Sequence, residues 1–178
     1  MIVLIIDLFL ITLLLFFLSV IWPPGAPWVP VPKNKALRML EMLKVKPGDV
    51  IYDLGSGDGR ILIWAAEKFG AQGVGIEIDP LRIAYSRILI RLKGLSPKIR
   101  IIRQNLLEAD LSGADIVVLF LLPKILGKLK ERLLKDLKPR TRIACYRYPL
   151  ALPEIGRDEK EKIFLYQVPP LKGDRKLA

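Results

Sequence analysis

The stretch VIYDLGSGDGR, residues 50–60, decides how this chain is read. Its first half is apolar and carries the β-branched Val50 and Ile51, a strand signal. That strand runs at Leu54 straight into glycines at 55, 57 and 59. Glycine turns a chain sharply and lets a ligand touch the backbone. A helical pattern over residues 61–69 follows, and the first N–H groups of a helix are free to meet a carboxylate or phosphate. Strand, glycine loop and helix make the first part of a nucleotide-binding βαβ unit. The next strand pattern, GVGIEI, carries Glu77, about 20 residues beyond the glycines. An acid there accepts from ribose hydroxyls in folds of this kind.

Outward from this unit, strand and helix patterns alternate. Buried-strand runs lie at residues 50–54, 73–78, 99–103, 116–122 and 142–146, with helical patterns at 61–69, 81–93 and 124–137. A last strand, KIFLYQV, follows the charged turn GRDEKEK and returns as a hairpin. The expected fold is α/β: a Rossmann-like, doubly wound, mostly parallel sheet of six or seven strands. A short amphipathic helix, NKALRMLEMLK, precedes it, presenting Leu37, Met39, Leu40 and Leu43. Before that, PPGAPWVPVP at residues 23–32 forbids helix and central strand, because proline lacks the N–H and fixes φ. It reads as an extended linker.

The first 22 residues, MIVLIIDLFLITLLLFFLSVIW, carry one charge, Asp7. About 20 apolar residues at ~1.5 Å each cross a ~30 Å hydrocarbon core. A cleaved signal would want a basic start and a small-residue cleavage site, and neither is present. The expectation is one N-terminal transmembrane helix over residues 1–22, a linker over 23–32 and a folded domain over 33–178. Residues 33–178 hold all 29 Lys and Arg against 17 Asp and Glu, a net +12. By the positive-inside rule that domain is cytoplasmic and the protein a single-pass membrane protein, with lipid as the partner of the first helix. The lysines are scattered rather than clustered, which argues against nucleic acid as a partner. Cys145 is the single cysteine, so no intrachain disulfide forms, and the absence of histidine removes any His base or His metal ligand. No metal is expected.

The charges beside the glycines separate two cofactor classes. A dinucleotide wants G-x-G-x-x-G, whereas the spacing here is G-x-G-x-G, with Asp53 before it and Asp58 within it. Those acids repel a pyrophosphate and attract a cationic amine and sulfonium, as in S-adenosylmethionine. At these residues a resemblance enters. DLGSGDGR followed by GVGIEIDP resembles motifs I and II of the class I, seven-strand methyltransferases that use S-adenosylmethionine. The likeness is nearest to the archaeal protein-lysine methyltransferases and the mitochondrial lysine methyltransferases acting on the c-ring of ATP synthase and on the adenine nucleotide carrier. PWVPVP, RQNLLEADLS, VVLFLLP and, loosely, ACYRYP resemble further segments of that group.

The resemblance implies that Asp53, Gly55, Ser56, Gly57 and Glu77 hold the cofactor, with Asn105 and Leu106 at the adenine. Asn105 reads equally as a loop cap. Trp28, Tyr146 and Tyr148 are candidates for the substrate channel, and no catalytic residue is assigned. Strand four ends FLLP, without the Asn-Pro-Pro-Tyr type of sequence used on planar amines. The function so implied is membrane-anchored methyl transfer to lysine side chains of membrane or juxtamembrane proteins. Transfer to a lipid or isoprenoid headgroup, or cofactor binding without catalysis, are the alternatives.

Overall fold

The computed structural model describes residues 2–21 and 29–170. Helix α1 (Ile2–Ile21) comes first, then α2 (Lys33–Met42). The alternating part follows: β1 (Val50–Leu54), α3 (Arg60–Phe69), β2 (Gln72–Glu77), α4 (Pro80–Leu92) and β3 (Ile99–Arg103). Then come β4 (Ile116–Leu119), α5 (Pro123–Asp136), β5 (Arg142–Tyr146), β6 (Glu154–Asp158) and β7 (Ile163–Gln167). One seven-stranded sheet has the order β3-β2-β1-β4-β5-β7-β6. The first five of these neighbours pair in parallel, while β7 pairs antiparallel with both β5 and β6.

The strand order reverses between β1 and β4. This is the switch point at which doubly wound sheets open a crevice beyond the strand ends. Burial on both faces explains why the central strands β1, β2 and β4 read as apolar runs. On one face Ile51, Ile101, Ile116 and Val118 pack with Ala36, Met39 and Leu40 of α2, Leu62 and Ala66 of α3, and Ile83 and Ile90 of α4. On the other, Leu54, Ile76, Val117, Leu119 and Ile143 pack with Leu126, Leu129 and Leu133 of α5. Arg142 joins α2 to the sheet: it donates to the carbonyls of Leu43 and Lys44 at 2.6 and 2.9 Å and pairs with Asp49 at 2.8 Å.

Two expectations need correction. The fourth strand stops at Leu119, not at 122, because neither neighbouring strand pairs with it beyond that residue. Phe120, Leu121 and Leu122 leave the sheet, Leu122 becomes the N-cap of α5 and Pro123 occupies its first turn. The charged segment read as one turn contains part of an edge strand, β6, and the turn proper is confined to residues 159–162. Charges on β6 suit an edge, where they oppose further pairing. This edge also reaches α2: Arg38 donates to Asp158 of β6 at 3.0 Å, and Lys35 pairs with Glu161 of the following turn.

In α1 the side chains described are those of residues 4–14, all exposed. Among the described residues, no helix is long and apolar enough to cross a membrane.

Candidate functional site

A cavity of about 590 Å³ opens beyond the carboxyl ends of β1, β2 and β4. Gly55, Gly57 and Gly59 have φ of 84°, 54° and 74°, so the loop after β1 coils through left-handed backbone that side chains disfavour. The turn is anchored on β2: the N–H groups of Gly55 and Ser56 donate to the Ile76 carbonyl at 2.8 and 3.1 Å. It lies so close to β2 that a Cβ on Gly75 would stand 2.6 Å from the Ser56 hydroxyl and 2.6 Å from Ile101 Cδ1. The hydroxyl of Ser56 is buried there without a hydrogen-bond partner among the described residues.

Three carboxylates converge on this loop. Glu77 closes it: one oxygen accepts from Gly57 N–H at 2.9 Å, the other from Ile78 and Asp79 N–H at 2.9 and 3.0 Å. Asp58 forms a bidentate pair with Arg60 at 2.6–3.0 Å. Asp53 near the end of β1 is buried, and its carboxylate has no hydrogen bond among the described residues. Burial first, then the charges of Glu77 and Asp58, push its carboxyl up to about 7.

Asp53, Gly55, Ser56, Gly57, Glu77, Asn105 and Leu106 all line this one cavity. Asn105 also caps its own loop, accepting from Leu107 N–H and donating to Glu108, each at 3.0 Å. Tyr148 lines the cavity, with the Arg147 guanidinium 5.8 Å from its ring centre. Tyr146 does not reach it. Strand alternation turns Tyr146 to the α3 face, where its ring meets Phe120 edge-on at 4.9 Å. Trp28 lies outside the described residues, but Val29, Pro30 and Val31 just after it line the cavity. Missed by sequence reasoning are Phe120, Leu121 and Leu122, hidden in a run that reads as strand, together with Ile125 and Arg147.

The family model of the ANTKMT methyltransferase domain matches residues 53–155. The chain belongs to this family. The domain is 41% identical over 128 residues to a protein-lysine N-methyltransferase of Saccharolobus islandicus, covering 71% of this chain and 80% of that one. It is 34% identical over 123 residues to the lysine N-methyltransferase of Xenopus laevis named for the c-ring protein of ATP synthase, covering 69% of this chain. The chain spans about half the length (54%) of that animal relative. Among solved structures, a protein described as an RNA methyltransferase from Salinibacter ruber, in complex with S-adenosyl-L-homocysteine, superposes with a TM-score of 0.76. Its identity is 38%, covering 79% of this chain and 94% of that one. The domain is an S-adenosylmethionine-dependent methyltransferase.

The residues present fit that cofactor. Asp53 is an acid without a hydrogen-bond partner among the described residues, at the closed end of the cavity, held near neutrality by burial and two other carboxylates. A cationic ammonium would relieve that arrangement, and a pyrophosphate would aggravate it. Ile78, Leu106, Leu107 and Leu121 supply apolar wall for a base.

Proposed function

We propose that this chain methylates lysine side chains of proteins, held at a membrane by α1 with its methyltransferase domain on the cytoplasmic side. In this reading Asp53 meets the amino-acid end of the cofactor, the glycine loop its carboxylate, Glu77 its ribose, and Asn105 with Leu106 its adenine. When bound, S-adenosylmethionine supplies a sulfonium methyl for in-line displacement.

The observation that carries the acceptor assignment is the wall made by Phe120, Leu121, Leu122 and Tyr148. A lysine must be neutral to attack, and an apolar, aromatic wall disfavours its ammonium form. Aligning the amine and excluding water is then most of what the chain must do. The proton leaves to water, and a chain without histidine needs no base for it. The lysine methyltransferases named among the relatives support the same assignment. For the anchor, the support is the sequence of residues 1–22 and the +12 that follows it.

A second reading, transfer to RNA, is favoured by one observation: the Salinibacter ruber protein is described as an RNA methyltransferase and is covered over 94% of its length. One experiment separates them. Membranes, soluble proteins, total RNA and extracted lipid are each incubated with the protein and methyl-labelled S-adenosylmethionine, and labelled protein is hydrolysed to amino acids. Methylated lysine from the membrane fraction is expected. Label confined to RNA or to lipid would replace the lysine assignment.

A further inference from the structure

Helix α4 is apolar on two opposite sides. Ile83, Ser86 and Ile90 are buried against the sheet and account for its folding. Leu81, Tyr85, Ile88 and Leu92, spaced by four, three and four residues, are 54%, 52%, 55% and 79% exposed. At about 100° per residue these four fall within a ~60° arc directed away from the core. By the same geometry Arg82 and Lys93 flank the stripe on one side and Arg87 and Arg91 on the other. Residues 80–93 contain no acid. Arg87 donates to the Ile101 carbonyl at 2.7 Å and has no carboxylate partner among the described residues. Arg91 has no carboxylate partner among the described residues, whereas Arg82 pairs with Asp79 and Lys93 with Glu67.

We propose that this outward face of α4 lies on an anionic bilayer surface and holds the cavity mouth there. The inference deepens the membrane reading above and rests on it in part. An apolar stripe edged by cations on both sides is the pattern of a helix lying in the headgroup plane. Anionic headgroups complement the arginines. A second copy of this face would instead set arginine against arginine. Residues 4–14 of α1 are not seated on the stripe, since their side chains are exposed.

Distance agrees. Asp79, Pro80 and Arg82, where α4 begins, line the cavity, as do the exposed Val29, Ile78 and Leu122. Val29 is eight residues beyond Ile21, the end of α1, so the two stand at most ~28 Å apart. With α1 inserted, the mouth and the α4 stripe are within reach of the headgroups. A substrate lysine at the membrane surface would then meet the cavity without a large excursion of either protein.

The test uses the full chain and vesicles of phosphatidylcholine with phosphatidylglycerol. Ile88→Cys carries an environment-sensitive fluorophore, and Lys128→Cys on α5, at the opposite face of the sheet, serves as control. The native Cys145 is fully buried and does not compete for label. The expected result is that the protein floats with the vesicles, while the probe at position 88 shifts to the blue and is quenched by nitroxide lipids. The probe at position 128 stays aqueous. With the probe moved to Tyr85→Cys, adding Ile88→Glu and Leu92→Glu should abolish the shift. Calorimetric affinity for S-adenosylhomocysteine should be unchanged, because neither side chain touches the cavity. Flotation with an aqueous probe at position 88 overturns the docked face and leaves the anchor standing. Failure to float overturns both. A blue shift without vesicles that grows with protein concentration assigns the stripe to a second copy and overturns the proposal.

Discussion

Asp53 carries the sharpest consequence at the scale of single residues. Its carboxyl is pushed up to about 7 in the folded chain, above the ordinary 3.8. The native state therefore holds its proton more tightly than the unfolded state, and stability from this group is lost as pH rises from about 4 through 7. Asp53→Asn should raise the melting temperature of the ligand-free protein at pH 8, with a smaller gain at pH 5. Binding runs the other way. A cationic ligand requires ionised Asp53, so affinity for S-adenosylhomocysteine should rise by about tenfold per pH unit up to ~7 and then level. Titration calorimetry of Asp53→Asn should give a weaker and flat profile, and a parallel profile in both proteins would remove Asp53 from the site. Glu77 differs, since it already holds three backbone N–H groups. In Glu77→Gln one carbonyl cannot serve all three, and charge-assisted bonds are worth roughly 1.5–3 kcal/mol each. A fall in melting temperature together with a ten- to hundredfold loss of cofactor affinity is expected; loss of affinity alone would mean that Glu77 does not organise the loop.

Among the elements, the glycine loop with β2 tests the packing. In Gly75→Ala the new Cβ would meet Ser56 and Ile101 at 2.6 Å, too close for contact. In Gly73→Ala it would meet only Leu62, at 3.1 Å. Overpacking costs about 1–3 kcal/mol, so Gly75→Ala should destabilise more and also weaken cofactor binding by shifting the loop. Equal denaturation midpoints for the two variants would contradict this account. The same elements show what a sequence reveals. Strands β1 and β2 were legible because they are buried on both faces and read as largely apolar runs, and the edge strand β3 because buried Ile99 and Ile101 alternate with exposed Arg100. Their ends were legible because glycine and acid punctuate them. Strand β6 was not: as an edge it buries little, and Glu154, Arg157 and Asp158 read as turn. The end of β4 was hidden for the opposite reason. Phe120, Leu121 and Leu122 are apolar in order to wall a cavity, and hydropathy does not distinguish a cavity wall from a core.

Across the whole molecule, the cofactor half of the site was legible and the acceptor half was not. All of the first but Asn105 and Leu106 belongs to one continuous βαβ unit, so its residues are adjacent in sequence. The second gathers Val29, Phe120 and Tyr148 from three distant segments. Chemistry suggested Tyr146 and Tyr148 together; a continuing strand would keep them on one face, but β5 ends at Tyr146 and the left-handed backbone of Arg147, φ 72°, sends Tyr148 to the other side. The relation of α1 to the domain leads to the last prediction. Described side chains of α1 are exposed, and the domain has its own cores on both sheet faces. A protein beginning at Pro27 keeps the cavity residues Val29, Pro30 and Val31. It should therefore bind S-adenosylhomocysteine within about twofold of the full chain, a difference of ~0.4 kcal/mol. Substrate choice should change. A tether confines the active site near the bilayer and raises the effective concentration of membrane lysines without any new contact. Juxtamembrane loops on the cytoplasmic side are rich in lysine, so the full chain should label membrane proteins preferentially. The shortened protein should lose that preference and label soluble basic proteins at a comparable rate. The measurement is the ratio of methyl-lysine in membrane and soluble fractions for the two proteins at equal cofactor saturation. An unchanged ratio would show that the domain alone selects its substrate and that α1 contributes nothing to the choice.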